Sequence, residues 1–322
     1  MDISLVIPLF NEAESLPELY AWIIKVLEDE LQIERFFGKK KLNFEIILID
    51  DGSKDSSWQV IEKLAEKDFR VSGIRLQKNY GKSAALFLGF ERAKGEIIFT
   101  LDADLQDSPE EFFAFIELIQ QGNDMVSGWK KKRYDPLSKT LPTKLFNAVA
   151  RFSSGIDLHD FNCGLKAYRK NVIKNIEVYG EMHRYLPILV KNAGFDKIVE
   201  KEVQHQARKY GESKFGWNRF INGFLDLFSI LFLTRFGKKP MHLFGFLGTI
   251  LFIFSTFLLS YLLIDKVFFH TSAKLLSQRT EFLLGLTGII LGSQFFLAGF
   301  LAELISRNSS ERNVYRVTQI VN

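Results

Sequence analysis

The stretch Glu96-Ile97-Ile98-Phe99-Thr100-Leu101-Asp102-Ala103-Asp104-Leu105-Gln106 decides how the chain is read. Its first half is a short apolar run behind Gly95, the pattern of a buried strand in a parallel sheet. Its second half turns acidic. Along extended backbone, residues two apart point to one side, so Asp102 and Asp104 converge and Gln106 follows in register. Two carboxylates and an amide oxygen suit a hard divalent cation, Mg²⁺ or Mn²⁺. Mg²⁺ keeps positions open for water or phosphate oxygens. Asp-x-Asp alone reads better as a polar turn. Its place after a strand, together with Gln106, brings the two readings level.

The same figure recurs upstream. Ile3-Ser4-Leu5-Val6-Ile7 stops at Pro8, and Asn11-Glu12 follows. Ser15-Leu16-Pro17-Glu18 has the form of a capping box, with Leu19, Trp22, Ile23, Val26 and Leu27 at helical spacing. Glu45-Ile46-Ile47-Leu48-Ile49 runs into Asp50-Asp51-Gly52-Ser53, and Ser56-Ser57-Trp58-Gln59 is a second capping-box candidate. Ile74-Arg75-Leu76 makes a third strand, and a helix runs from Ser83 to near Gly95. Ser108-Pro109-Glu110-Glu111 opens another helix with proline at its first position. Met125-Val126-Ser127 gives one more strand. Beyond Lys130 the alternation fades into a basic stretch, Lys130 to Lys144. Alternating strands and helices predict an α/β fold with a mostly parallel sheet covered on both faces. Ligands of such sheets collect at the carboxyl ends of the strands, where Asn11-Glu12, Asp50-Asp51 and Asp102-Asp104 all fall.

Other motifs are weaker. A carboxylate in Asp50-Asp51 can accept an N–H from a nucleobase, and Gly52 permits a tight turn beside a ligand; plain turn chemistry explains the same residues. Gly81-Lys82-Ser83 resembles the end of a phosphate-binding loop, but that motif needs glycine where Leu76 stands, so it is rejected. Lys82 stays open between a phosphate contact and a surface lysine. His159, His183, His205, His242 and His270 lack metal-ligand spacing. Cys163 has no base nearby in sequence and reads as buried, and no Gly-x-Ser-x-Gly elbow occurs.

Composition narrows the class. The 322 residues are 47% hydrophobic and 25% charged, which excludes wholesale disorder. A single cysteine excludes a disulfide scaffold and a cysteine zinc cluster. A net charge of +4 is too small for a nucleic-acid partner. Many of the 32 phenylalanines crowd the last third. There, Met241 to Ile264 and Phe282 to Ala302 carry no Asp, Glu, Lys or Arg. Each exceeds the roughly 20 residues that cross a bilayer core, so they predict a helical hairpin with both ends on one side. Arg235, Lys238 and Lys239 precede it, Arg307, Arg312 and Arg316 follow it, and Lys266, Lys274 and Arg279 lie between. The balance favours a cytoplasmic amino-terminal region, and Met1-Asp2 leads into a strand without a signal-peptide pattern. Trp217, Phe220, Ile221, Phe224, Phe228, Leu231 and Phe232 recur at helical spacing and predict an interfacial helix. The expected organisation is a catalytic domain over 1–215, an interfacial helix over 216–237, a transmembrane hairpin over 238–302 and a tail over 303–322.

Ile7-Pro8-Leu9-Phe10-Asn11-Glu12, Asp50-Asp51-Gly52-Ser53, Asn79-Tyr80-Gly81-Lys82 and Asp102-Ala103-Asp104-Leu105-Gln106-Asp107, in that order, resemble family-two glycosyltransferases of GT-A fold. The nearer resemblance is to polyprenyl-phosphate glycosyltransferases, the group of dolichol-phosphate mannose synthase and of bacterial relatives with a carboxyl-terminal membrane hairpin. Asp160 to Arg169 and Arg208 to Phe215 are similar to two later segments of that group, so the resemblance covers about residues 3–302. It implies a Rossmann-like nucleotide-sugar domain and inverting, metal-dependent transfer from a UDP- or GDP-linked sugar to undecaprenyl or dolichyl phosphate. Pro8, Phe10, Glu12, Asp50, Asp51, Lys82 and Asp102 would hold the nucleotide sugar. Asp102, Asp104 and Gln106 would bind Mg²⁺ or Mn²⁺, with Asp102, Asp104 and Arg208 catalytic. Arg208, Ser213 and Lys214 would face phosphates. The acceptor-phosphate ligand is open among Lys130, Arg133, Lys139 and Lys144, because Gly128-Trp129-Lys130 stands where relatives often have Gly-Ser-Arg. Phe10 replaces a common tyrosine. The place implied is the inner cell membrane, multi-pass, with the catalytic domain on the cytoplasmic face among membrane lipids; homo-oligomerisation is left open. Competing readings are a soluble or polysaccharide acceptor and a non-catalytic membrane scaffold. The first, in its processive form, lacks a Gln-x-x-Arg-Trp element here.

Overall fold

Runs of branched apolar residues close into strands where the sequence marks them. The computed structural model describes residues 1–131, 147–152, 154–178, 180, 182–207, 209–210, 240–269, 279–308 and 315–321. The first four strands are β1 (Ile3–Leu9), β2 (Phe44–Asp50), β3 (Val71–Leu76) and β4 (Ile97–Thr100). β1 pairs in parallel with β2 on one side and β4 on the other, and β2 pairs in parallel with β3. Every residue of β1 is buried. Ile3, Leu5 and Ile7 join a core with apolar residues of α1 (Leu16–Leu27), α3 (Ser57–Lys67) and α5 (Phe112–Gln120); α2 (Glu30–Phe37) adds Ile33. On the other face α4 (Lys82–Arg92) lies so close that a Cβ on Gly89 would stand 2.3 Å from Val6 Cγ1.

The sheet is wider than the sequence pattern indicates. β5 (Met125–Trp129), β6 (Lys166–Arg169), β7 (Ile198–Glu202) and β8 (Val317–Val321) extend it to eight strands in the order β7-β5-β6-β4-β1-β2-β3-β8. β6 runs antiparallel to β4 and β5, and β8 runs antiparallel to β3. β6 is followed directly by α6 (Lys170–Lys174), and α7 (Leu186–Asn192) precedes β7. β7 reads Ile-Val-Glu-Lys-Glu and β8 is mostly exposed, so neither carries the apolar run of a central strand.

Neither expected capping box forms. Ser15 has helical backbone and donates its hydroxyl back to the Glu12 carbonyl at 3.0 Å. At α3 the cap comes from Asp55, whose Oδ1 accepts the Ser57 N–H at 3.0 Å, while the Ser57 hydroxyl accepts from Glu12 N. Ser108 does accept the Glu110 N–H, but it opens a 3-10 turn over Pro109–Glu111 before α5 begins.

The chain divides into two compact units, Met1–Leu231 with Asn313–Asn322, and Phe232–Arg312. The second unit holds α8 (Pro240–Ile264), continued by a π-helical turn over Asp265–Phe269, and α9 (Thr280–Asn308). Met241–Phe269 and Thr280–Ile305 are long and apolar enough to cross a membrane. Their contact is built on small residues: a Cβ on Gly248 would meet Gly292 O at 2.6 Å, and one on Gly292 would meet Gly248 O at 2.8 Å. Close backbone approach of this kind packs helices where no hydrophobic force separates helix from lipid. The predicted interfacial helix lies outside the described residues.

At the amino ends of the strands, Asp68 ties α1 to β3. Its carboxylate takes two Arg70 N–H groups at 2.8 and 2.9 Å and the Tyr20 hydroxyl at 2.8 Å. The guanidinium lies 4.5 Å over the Phe44 ring and also reaches Glu28. Burial pushes the Asp68 carboxyl up, but Arg70 and Tyr20 overcome it and hold it below the usual carboxylate range. An acid depressed on folding stabilises above its unfolded value, about 3.9, and that contribution is lost as pH falls through the folded value. Asp68→Asn is therefore expected to lower stability by about 1–3 kcal/mol at pH 6 and by progressively less below pH 4. Thermal unfolding of both proteins between pH 3 and 6 measures this, and equal losses at every pH contradict it.

Candidate active site

The topology dictates where a ligand can sit. From β1 the chain builds outward through β2 and β3, then returns to place β4 on β1's other side, which leaves a crevice at the carboxyl ends. A cavity of about 340 Å³ opens there. Pro8 and Leu9 at the end of β1 line it with Phe10 and Glu12 just beyond, and Asp51 follows β2. Asn79, Gly81, Lys82 and Ala85 come after β3, and Asp102, Ala103 and Asp104 after β4.

The acidic stretch keeps a two-residue alternation. Leu101, Ala103, Leu105 and Asp107 are buried, while Asp102, Asp104 and Gln106 are half-buried. Leu105 holds this turn with φ at +61°, a left-handed conformation unusual for leucine, and its side chain is locked in the core. Such strain persists where surrounding packing over-determines it and is concentrated at working sites.

Asp51 shapes the opposite wall. Its Oδ1 accepts the Tyr80 N–H at 2.7 Å and its Oδ2 accepts the Gly81 N–H at 2.9 Å. Burial raises its carboxyl above the ordinary value, against those two bonds. Gly52 is required here: its φ is +72°, and a Cβ would stand 2.5 Å from the Lys78 carbonyl carbon. The loop over 77–81 is thereby pressed onto the β2 turn.

Positive charge meets the acidic wall through Lys82, at the amino end of α4, whose ammonium pairs with Asp102 Oδ1. Burial would raise the Asp102 carboxyl, but Lys82, with Lys130 and Lys166 nearby, brings it down to about 2. Asp102 is thus ionised throughout the working pH range. Behind it, Lys130 Nζ lies 2.6 Å from the fully buried Asp107, and Lys166 donates to the Cys163 carbonyl. Gly164 separates the acids: a Cβ there would stand 2.5 Å from Asp102 Oδ2 and 2.9 Å from Asp107 Oδ2. Burial, then Asp107, pushes the Cys163 thiol up to about 12, so it is no nucleophile. His183 meets the Ser83 hydroxyl and, with burial and Lys82 disfavouring its charge, sits well below 6.5.

The cavity therefore brings together Pro8, Phe10, Glu12, Asp51, Lys82, Asp102 and Asp104. It does not include Asp50, Gln106 or Lys130. Asp50 has no exposed surface; its Oδ1 accepts the Ser53 N–H at 2.8 Å and its Oδ2 lies 3.5 Å from Arg75, so it serves the turn. Gln106 turns its amide N–H to the Gln206 carbonyl at 3.4 Å. Lys130 is spoken for by Asp107. Arg133, Lys139, Lys144, Arg208, Ser213 and Lys214 lie outside the described residues. Sequence reasoning assigned no role to Gly164, Asp107 or Lys166. Their only signal was membership of motifs already quoted, since the contacts that matter cross from β6 to the turn after β4.

Residues 4–177 match the glycosyl transferase family 2. This chain belongs to that family. Among its relatives, the dodecaprenyl-phosphate galacturonate synthase of Rhizobium johnstonii is 32% identical over 95% of this chain and 88% of its own. The undecaprenyl-phosphate 4-deoxy-4-formamido-L-arabinose transferase of Shewanella sediminis is 34% identical over 96% of this chain and 88% of its own. Among solved structures, glucosyl-3-phosphoglycerate synthase of Mycobacterium tuberculosis, in complex with Mn²⁺, UDP-glucose and phosphoglyceric acid, superposes with a TM-score of 0.53. It covers 72% of this chain and 79% of its own at 17% identity. The catalytic unit of this family 2 member thus has the GT-A fold.

The donor chemistry of the site fits a divalent cation. Two hard carboxylates line one cavity, and a lysine ammonium already rests against one of them. Gly164 gives the test. Gly164→Ala is expected to turn the Asp102 carboxylate from its place and weaken Mn²⁺ binding by about 10- to 100-fold, the scale of outer-shell changes at metal sites. Calorimetric titration measures the affinity, and unchanged Mn²⁺ binding by a folded variant contradicts the placement.

Proposed function

We propose that this family 2 enzyme transfers a sugar, with inversion, from a UDP- or GDP-linked donor to a polyprenyl phosphate at a membrane surface. One observation carries the reading: Asp102, Asp104, Asp51 and Lys82, from three separate strand ends, line a single cavity. The relatives named above, similar over nearly the whole chain, act on prenyl phosphates by name. The two apolar helices supply the membrane anchor that such an acceptor requires. The charges flanking those helices support a multi-pass protein of the inner membrane with its catalytic unit on the cytoplasmic side.

Each residue has a task in this scheme. Asp51 and the backbone it fixes at Tyr80 and Gly81 form the nucleoside side, with Pro8, Phe10 and Glu12 closing it. Lys82 and the amino end of α4 face the diphosphate, where a helix end favours anions. Asp102 and Asp104 hold Mg²⁺ or Mn²⁺, which when bound offsets charge on the departing diphosphate. A lipid-phosphate oxygen is already anionic near pH 7, so attack on the anomeric carbon needs no strong base. Arg208, Ser213 and Lys214 complete the phosphate contacts on the family resemblance.

The test uses purified full-length protein with undecaprenyl phosphate, Mg²⁺ or Mn²⁺ and a panel of nucleotide sugars, with mass spectrometry of the glycolipid. Asp102→Ala and Asp104→Ala are each expected to cut turnover by about 10²–10³-fold or more while leaving the unfolding temperature near wild type. Wild-type rates from either variant in saturating metal sink the assignment. Transfer that proceeds equally without the lipid phosphate sinks the acceptor.

A further inference from the structure

The loop over 77–81 supplies Asn79 and Gly81 to the cavity, yet Gln77, Lys78 and Asn79 are exposed. On one side it is held by Asp51 and by close approach to Gly52. Its other support comes from the far end of the sequence. Gln77 N–H donates to the Arg316 carbonyl at 3.0 Å, and the Thr318 hydroxyl donates to the Arg75 carbonyl at 3.1 Å. Arg75 Nη1 donates to Gln319 Oε1 at 3.2 Å. The Tyr315 ring stands edge-on to Tyr80, with centroids 5.5 Å apart and planes at 71°, and 6.0 Å from Phe87 on α4. The ladder between β8 and β3 shifts register between Arg75 and Leu76, where the strand gives way to the loop.

We propose that Tyr315, carried by the segment that leads into β8, is a positioning residue for the donor pocket: it fixes Tyr80, and through it the backbone that Asp51 and Lys82 share. This inference rests on the donor-site reading given above. Tyr80 is one residue before Gly81 and two before Lys82, whose ammonium pairs with Asp102. A ring that clamps Tyr80 therefore sets one rim of the cavity without touching the reacting atoms. An aromatic pair contributes about 0.5–1.5 kcal/mol beyond its buried area, which in a binding constant is roughly two- to tenfold. The effect should fall on the nucleotide and leave the lipid phosphate alone, because the Tyr315 ring packs on Tyr80, beside the Asn79 and Gly81 wall of the cavity, and on Phe87 of α4.

The experiment compares wild type, Tyr315→Ala, Tyr315→Phe and the β8 surface control Ile320→Ser in full-length protein. UDP with Mn²⁺ is the binding probe, and KM is measured separately for nucleotide sugar and for undecaprenyl phosphate. Tyr315→Ala is expected to weaken UDP binding and raise the donor KM about two- to tenfold, with acceptor KM and kcat within about twofold of wild type. Tyr315→Phe restores the donor KM because the contact is between rings, and Ile320→Ser leaves it unchanged. Hydrogen exchange at residues 77–82 should quicken in Tyr315→Ala alone. Equal donor affinity in Tyr315→Ala and wild type overturns the inference and spares the donor site. Donor and acceptor KM rising together, or a matching loss in Ile320→Ser, shows a general structural role and also overturns it. A wild-type protein that binds no nucleoside diphosphate overturns the donor-site reading and this inference with it.

Discussion

Charge neutralisation behind the cavity constrains the rest of the site. Asp102 and Asp107 approach the same glycine, and three lysines, Lys82, Lys130 and Lys166, gather round them. Removing an ion from water costs several kcal/mol unless a partner replaces the lost hydration. The arrangement therefore stands as a set: Lys82 and Lys130 each leave an acid without its ion-pair partner if withdrawn. This explains why Lys130, on the sequence a candidate for the acceptor phosphate, is turned inward; Lys166, buried in β6, donates instead to the Cys163 carbonyl, and burial lowers its pKa. Of the three, Lys82 lies at the cavity wall, where it pairs with Asp102.

The same constraint accounts for the small residues around the acids. Gly164 leaves room for two carboxylates to approach the chain, and Gly128 leaves room for Cys163 beside it, where a Cβ would stand 2.7 Å from the thiol sulfur. β5 and β6 can then pair tightly enough for Gly128 N–H to reach the Leu165 carbonyl at 3.0 Å. Backbone geometry and electrostatics here are one problem. The acids can be held close only because the chain leading into β6 carries no side chain at Gly164, the point of contact.

The sequence made some of this legible and hid the rest for physical reasons. Strand ends that stop at Pro8, Asp50 and Asp102 are local patterns, and the crevice follows from them and from right-handed crossover topology. The shared side of Asp102 and Asp104 was equally readable from their two-residue spacing, and both line the cavity. Asp50 and Asp51 were not separable, because which of two adjacent acids faces the ligand depends on the exact residue at which β2 ends. Gln106 shares the register of Asp102 and Asp104, but the left-handed turn at Leu105 breaks the extended geometry on which that reasoning relies. Ser15 and Ser56 looked like caps, yet the competing acceptors Glu12 and Asp55 sit a few residues away and draw the hydrogen bonds to themselves. Contacts such as Lys130 with Asp107, or Tyr315 with Tyr80, join residues 23 and 235 positions apart, and no local pattern announces them.

The position of β8 has a consequence for assembly of the fold. β3 is an inner strand only because Val317–Val321 covers it, and those residues follow both apolar helices in the chain. Until they arrive, β3 presents an unpaired row of N–H and C=O groups, a template for pairing with another chain. Polar residues blunt that hazard: Ser72 and Arg75 interrupt β3, so its apolar content is low for a strand next to β2. Closing the ladder brings together residues more than 240 positions apart, as Arg75 with Gln319. Such non-local pairings form late, because the entropy of closing the intervening chain precedes any contact that rewards it. The loop over 77–81 then takes its final support after the central sheet exists, so the core around β1 and the rim of the cavity are set by different stretches of the chain.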